Sequence, residues 1–361
     1  MQFLRRHRPS GLYLILFPCV LIISLIVTFY EHKIFKIEKN LTIISLKSSN
    51  AYLRVQIDWK TTSAKCQPLD NLIVYILSNV MNFERRKLIR STWATPIEGT
   101  CYIFIVGTIS EHQSTQLLLN NEKQQYHDIV QIVHNESYAN VIYKELAALE
   151  WTRQFYPFIP YLFKTDDDLI VDSILLSNIA EILVTNVNND TSYISRNRPQ
   201  LVSHLFLSDR RTFFQGGWSM DFQPTLRSSK FAISESVWPE PILPLYCSGF
   251  GWLMSKHVRD KLVQTSRTYS LSKVAWIGDV FISGFLAKAA NVKCTGIALD
   301  YEQTSSANCS CLFAQKPMLT VCSSTFHGGV AGDEKLKNLE YEKAWNVIRK
   351  RHRSELNQAD C

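Results

Sequence analysis

The chain has 361 residues, 46% of them hydrophobic and 20% charged, with a net charge of +7. Plentiful aromatics and modest Gly and Pro exclude a disordered chain, and no basic stripe interleaved with aromatics is present to grip nucleic acid. The mild positive charge suits solubility first and an anionic substrate such as a nucleotide second.

Gly11 to Tyr30 is twenty residues without a charge, about 30 Å of helix and so about the thickness of a hydrocarbon core. A cleaved signal peptide would have a shorter apolar region and a small-x-small site, whereas this segment runs into Thr28-Phe29-Tyr30-Glu31. An uncleaved anchor is expected, with residues 1–10 as a cytoplasmic tail. Arg5, Arg6 and Arg8 before the span are matched by Lys33, Lys36 and Lys39 after it, so the positive-inside rule does not set the orientation. Four acceptor sequons for N-glycosylation, at Asn40, Asn135, Asn189 and Asn308, and eight of the nine cysteines all follow the span. Together they place the rest of the chain in an oxidising lumen.

Residues 31–66 show no sustained period and read as a stem, followed by a lumenal domain over 67–361. Leu72 to Leu77 reads as a buried strand, followed by a basic helix from Glu84 to Trp93. Cys101 to Val106 is a second strand, with a helix near Glu111 to Asn121, and Ile129 to Val133 a third. A helix is expected from Tyr138 to Phe155, then Tyr161-Leu162-Phe163 leads into Lys164-Thr165-Asp166-Asp167-Asp168. This alternation predicts an α/β fold with a largely parallel sheet flanked by helices, whose ligands bind beyond the carboxyl ends of the strands. Further on, Leu201 to Leu207 reads as a strand, Trp218 to Trp238 as mixed loop, and Tyr246 to Trp252 as a glycine-spaced aromatic loop. Helices are expected from Asp279 to Ala289 and from Glu334 to Ile348.

Three adjacent carboxylates at a strand end repel one another, and a hard divalent cation relieves the repulsion. If the strand continues through them, alternation puts Asp166 and Asp168 on one side and Asp167 on the other. A solvated loop, or an N-cap run before Leu169 to Leu176, is the structural alternative. The basic cluster around Arg86 and Arg90 suits a diphosphate or a solvated face alike. Asp279 lies in apolar sequence, which raises a carboxyl pKa and suits a general base, although a helix N-cap competes. His327 suits a metal ligand or a structural role. Cys309, Cys311 and Cys322 form a disulfide region, because a tetrahedral ligand set for zinc is missing.

Taken in order, the motifs are Arg86-x-x-Ile89-Arg90-x-Thr92-Trp93, Phe104-x-x-Gly107, Tyr126-x-Asp128-Ile129, Tyr138-x-Asn140 with Lys144 and Trp151, and Lys164-x-Asp166-Asp167-Asp168. Trp238-Pro239, Pro244-x-Tyr246-Cys247-Ser248-Gly249-x-Gly251 and Asp279-Val280-x-x-x-Gly284 follow. From about residue 70 to 330 the chain resembles the inverting β-1,3-galactosyl- and N-acetylglucosaminyltransferases, with Fringe-like enzymes as more distant relatives. The resemblance implies a GT-A type fold with a mixed, largely parallel sheet, a UDP-sugar donor, a Mn²⁺ (or Mg²⁺) cofactor, and a glycan acceptor on a glycoprotein or glycolipid. It implies single-pass type II residence in the Golgi membrane, and an oligomer is compatible with it. It casts Asp166, Asp168 and His327 as metal ligands and Arg86, Arg90, Asp166 and Asp167 as donor-binding residues. Asp279 becomes the catalytic base, and Tyr246, Gly249, Gly251 and Trp252 form the acceptor and sugar pocket.

Two departures stand out. Gly278 replaces the family's usual acidic residue, which would ease like-charge pressure on Asp279, and Trp252 replaces a common Tyr. Galactose, N-acetylglucosamine and N-acetylgalactosamine donors all fit. A transferase-like chaperone or glycan-binding protein without turnover is the rival reading; Gly278 favours it and the intact acidic triplet opposes it. A metal-dependent phosphoesterase would need more His and Asp clusters than the chain carries.

Overall fold

The computed structural model describes residues 52–53, 63–108, 113–185, 194, 196, 199–296, 300–304, 308–324 and 334–356. The apolar span 11–30, Asn40, Asn189 and His327 lie outside the described residues. Among the described residues no helix is long and apolar enough to cross a membrane.

The first half is built from strand-helix-strand units. Strand β1 (Leu72–Leu77) leads through helix α1 (Phe83–Ser91) to β2 (Thr100–Thr108). Helix α2 (Gln113–Tyr126) then leads to β3 (Ile129–Asn135), and α3 (Val141–Phe155) to β4 (Tyr161–Asp166). A single 3₁₀ turn, Tyr138–Asn140, takes up the first part of the long helix expected from Tyr138. Strands β1, β2, β3 and β4 are parallel neighbours, and β1 registers Leu77 against Asp166. That register puts the acidic triplet at the carboxyl edge of the sheet centre.

The second half closes the sheet. Helix α4 (Ser173–Thr185) and helix α5 (Pro199–Leu207) precede β5 (Phe214–Gly216) and β6 (Trp252–Ser255), and helix α6 (Lys256–Ser266) and β7 (Thr295–Gly296) follow. The seven-stranded order is β7-β5-β6-β4-β1-β2-β3, with β6 antiparallel to both of its neighbours. The sheet is therefore mixed and mostly parallel. Alternate residues of β1 feed two cores. Leu72, Val74 and Ile76 pack with residues of α1, α4 and α5; Ile73, Tyr75 and Leu77 pack with residues of α3, α6 and the segment Val280–Leu286. Helices thus cover both faces, as a sheet buried on both sides requires.

Two expectations need correction. Leu201 to Leu207 is not a strand but most of α5, whose buried Leu201, Val202 and Leu205 fall at helical spacing. Pro199 at its first position is pre-set for a helix start. The acidic triplet is also no helix cap. Ile170–Val171 continues as a short strand paired antiparallel to Leu319–Ser324, and Asp172 caps α4, its Oδ1 accepting from the Leu175 N–H at 2.9 Å. The segment after Asp279 is π-helical over Val280–Leu286 before a short α-turn at Ala287–Ala289. Disulfides join Cys66–Cys101, Cys247–Cys294 and Cys309–Cys322.

Candidate active site

A cleft of about 390 Å³ opens at the carboxyl edge of β1 and β4, walled by Ser78, Asn82, Glu145, Lys164, Asp166, Asp167, Asp168, Gly249, Gly278 and Asp279 among others. A second cavity adjoins it, sharing Tyr138, Asp166, Asp168, Gly249, Ile277 and Asp279, and is more apolar, with Leu226, Phe231, Leu243 and Tyr246. Asp166, Asp168 and Asp279 line both. Asp166 and Asp168, two of the three residues predicted as metal ligands, thus face one space with Asp279, although Asp279 is 111 residues beyond Asp168 in the chain.

The strand ends at Asp166, and Asp167 and Asp168 form a turn, so it is the turn and not strand alternation that divides the triplet. Asp167 turns to the floor, where Oδ2 accepts from Ser78 Oγ at 2.7 Å and from Asn82 Nδ2 at 2.8 Å. Asp166 and Asp168 face the cleft. Lys164 Nζ, almost fully buried, meets the Asp166 carboxylate at 2.9 Å and 3.0 Å and the Gly249 carbonyl oxygen at 2.5 Å. Desolvation by the cleft walls, then repulsion from Asp166 and Asp167, pushes the Asp168 carboxyl up to about 6. Burial likewise raises Asp166 above the usual carboxylate range, against the pull of Lys164. Two crowded, hard oxygen donors that gain from added positive charge fit a divalent cation of the Mn²⁺ or Mg²⁺ kind, which commonly takes one or two carboxylates and completes its shell with substrate phosphates. Elsewhere among the described residues, Cys66, Asp70 and Cys101 converge, but the two sulfurs are bonded to each other.

Asp279 is fixed at the mouth of the π-helical segment. Its Oδ2 accepts from the Gly249 N–H at 3.1 Å and its Oδ1 from the Val280 N–H at 2.9 Å. Burial raises its carboxyl above the ordinary range, with Lys164 and the two N–H groups opposing. Its backbone cap and its place in the cleft coexist, so the two readings of the sequence are not alternatives. The expected relief of charge pressure from Gly278 is met by another acid: Glu145 of α3 packs against the bare Gly278 Cα face.

Arg86 and Arg90 do not reach the cleft. Arg86 is fully buried and donates to Glu122 at 2.7 Å and 2.9 Å, and to the carbonyls of Asn79 and Val80. Arg90 donates to Glu122 at 2.7 Å and to both oxygens of Asp128 at 2.7 Å and 2.8 Å. These guanidinium groups neutralise carboxylates of α2 and of the turn before β3, and Arg86 is linked to Asp167 through Ser78 Oγ at 3.2 Å. In the predicted acceptor loop, Tyr246 and Gly249 line the second cavity, whereas Trp252 is wholly buried in β6 with its ring 5.2 Å from Lys164 Nζ. Gly251 is a backbone requirement: its φ is +151°, and a Cβ there would lie 2.5 Å from the Lys164 carbonyl oxygen. Asn135 and Asn308 are exposed.

Sequence reasoning missed Ser78, Asn82 and Glu145. Glu145 carried a signal, since it lies on the same helical stripe as Ile142 and Leu149, where a charge is out of pattern.

The galactosyltransferase family model matches residues 84–297, more than half of the chain. The chain is 28% identical over 209 residues to human β-1,3-galactosyltransferase 2, covering 56% of this chain and 44% of that one. It is 29% identical over 242 residues to the UDP-GlcNAc:βGal β-1,3-N-acetylglucosaminyltransferase 7 of Rattus norvegicus, covering 64% and 54%. To β-1,3-galactosyltransferase 5 of Mus musculus it is 25% identical over 258 residues, covering 69% and 72%. The chain spans about half the length of the first two. The matched stretch contains all of α1 but its first residue, the acidic triplet and Asp279, and on this match the chain belongs to the galactosyltransferase family.

Proposed function

We propose that the protein transfers a hexose, galactose or an N-acetylhexosamine, from a UDP-sugar to a glycan hydroxyl in β-1,3 linkage with inversion, on a GT-A type fold. The observation that carries this reading is the shared cleft, whose walls hold Asp166, Asp168 and Asp279 together. Asp279 accepts the proton of the acceptor hydroxyl, whose oxygen forms a bond to the anomeric carbon as the bond from that carbon to the diphosphate breaks and UDP leaves. Its raised carboxyl pKa makes it a better proton acceptor than an ordinary aspartate, and the Gly249 and Val280 N–H groups fix its orientation. Asp166 and Asp168 would hold Mn²⁺ or Mg²⁺, which when bound supplies positive charge beside the leaving diphosphate. Asp167, held by Ser78 and Asn82, keeps the turn in place. The more apolar second cavity, with Tyr246 and Phe231, suits a sugar acceptor that stacks on aromatic faces.

We read residues 11–30 as a type II anchor in the Golgi membrane and residues 31–66 as a stem, with the transferase domain lumenal. The disulfides and the exposed Asn135 and Asn308 support an oxidising lumen. The test is transfer by purified protein from a panel of UDP-sugars to galactose- and N-acetylhexosamine-terminated acceptors, with and without Mn²⁺. Metal-dependent β-1,3-linked product from one donor is expected; absence of transfer from every donor, with UDP bound normally, would leave the non-catalytic reading instead.

A further inference from the structure

Glu145 is an acid in an unusual position. It lies in the middle of α3, is 1% exposed, and its Oε2 is buried without a hydrogen-bond partner. An unsatisfied buried carboxyl oxygen is destabilising, so its presence calls for a ligand or a compensating role. Glycine at 278 leaves the space that the end of this side chain occupies at the cleft wall. A Cβ built there would stand 2.7 Å from Glu145 Oε1 and 3.3 Å from Val141 Cγ1.

The surroundings narrow the ligand. Glu145 lines the first cavity with Lys164, Asp166, Gly278 and Asp279, and is absent from the walls of the apolar second one. On the hexosyl-transfer reading, on which this inference rests, the diphosphate belongs at Asp166 and Asp168 and the acceptor hydroxyl at Asp279. The ring being transferred then occupies the same cavity, which Gly278 and Glu145 also line. A carboxyl repels phosphate but bonds a neutral hydroxyl in either protonation state, donating when protonated and accepting when ionised. Burial raises its pKa, with Lys164 opposing and Asp166 and Asp279 adding to the rise.

We propose that Glu145 is a donor-binding residue whose carboxyl, admitted to the cleft by the missing side chain of Gly278, hydrogen-bonds a hydroxyl of the hexose of the UDP-sugar. Glu145 and Gly278 then form one unit, because a methyl group at 278 displaces the carboxyl.

Calorimetric titration of UDP and of the UDP-sugar used in transfer, with Mn²⁺, on wild type, Glu145→Ala, Glu145→Gln, Gly278→Ala and the Glu145→Ala/Gly278→Ala double variant tests this. Loss of one buried hydrogen bond predicts about ten-fold weaker UDP-sugar binding in Glu145→Ala and in Gly278→Ala, with UDP affinity unchanged. Glu145→Gln, which keeps the shape and a hydrogen-bonding pair, should restore most of the affinity. The double variant should be no worse than either single one, since both remove the same contact. Melting temperature should hold or rise in Glu145→Ala, where a purely structural residue would lower it. If Glu145→Ala fails to fold, Gly278→Ala carries the same test. Unchanged UDP-sugar affinity in the variants, equal loss for UDP and UDP-sugar, or a rise confined to the acceptor KM overturns the assignment while leaving the transferase reading intact. Wild-type protein that binds neither UDP nor any UDP-sugar overturns both.

Discussion

Lys164 donates to the Gly249 carbonyl oxygen at 2.5 Å, joining the end of β4 to the loop that holds the proposed base. The same ammonium grips Asp166, and the Gly249 N–H holds Asp279. One buried cation thus connects Asp166 to Asp279 through a single residue, Gly249. Charge on one carboxylate is felt at the other, and the cleft is preorganised before any substrate arrives.

Asp279→Asn removes the proton acceptor but keeps the shape. Transfer should fall roughly 10²- to 10⁴-fold. Because both carboxylate oxygens accept from backbone N–H groups, the amide loses one such bond, at about 1 kcal/mol of stability. Rate, UDP-sugar affinity and melting temperature on one preparation decide the matter. Retained transfer would remove Asp279 from the mechanism.

Asp168→Ala removes a hard oxygen ligand together with its charge. Titration of UDP with and without Mn²⁺ should show that the metal no longer strengthens binding in the variant, with folding unaffected because the residue lies open at the cleft. A variant whose UDP binding still responds fully to Mn²⁺ would exclude a ligand role.

Arg86→Ala should act on folding and not on the donor. It leaves Glu122 buried with only Arg90 as cationic partner among the described residues, and breaking a buried pair costs about 3–5 kcal/mol. Denaturant unfolding should show that loss, while UDP affinity of the folded protein stays within about two-fold of wild type, an energy difference well below that of one hydrogen bond. A UDP affinity that collapses without loss of stability would return Arg86 to the donor site.

Asp172 is wholly buried against Arg351 and His352, the latter at 2.8 Å. Burial alone would raise its carboxyl, but Arg351, His352 and the Leu175 N–H hold it well below the usual value of 3.8. A depressed folded pKa adds stability that is fully present above the unfolded value and is lost as pH falls through the folded one. Unfolding free energy measured below about pH 4 should therefore fall more steeply for wild type than for Asp172→Asn. Parallel pH profiles would show that the pair adds nothing.

For the anchor and its orientation, glycosidase treatment should increase the mobility of expressed protein, and protease added to intact microsomes should leave everything beyond residue 30 protected. Digestion of the transferase domain under those conditions would reverse the topology.

The sequence alone determined the parts that depend on local pattern. Strands β1 to β4 and their helices were legible because apolar runs and 3.6-residue stripes alternate without long insertions, and the parallel sheet follows from that alternation. Asp166 and Asp168 were legible because three carboxylates at a strand end have few uses. Leu201 to Leu207 was not, since a short apolar run fits either period and only its packing as a helix, with Leu201, Val202 and Leu205 turned to the core, decides it. The basic helix shows the deeper limit. Its spelling fits a phosphate grip, but whether a guanidinium meets phosphate or carboxylate depends on what the fold sets opposite it, and Glu122 and Asp128 arrive from α2 and the turn before β3. Glu145 meets Gly278 for the same reason: a helix and a loop far apart in the chain are brought together by the sheet between them, and the space a missing side chain leaves exists only in three dimensions.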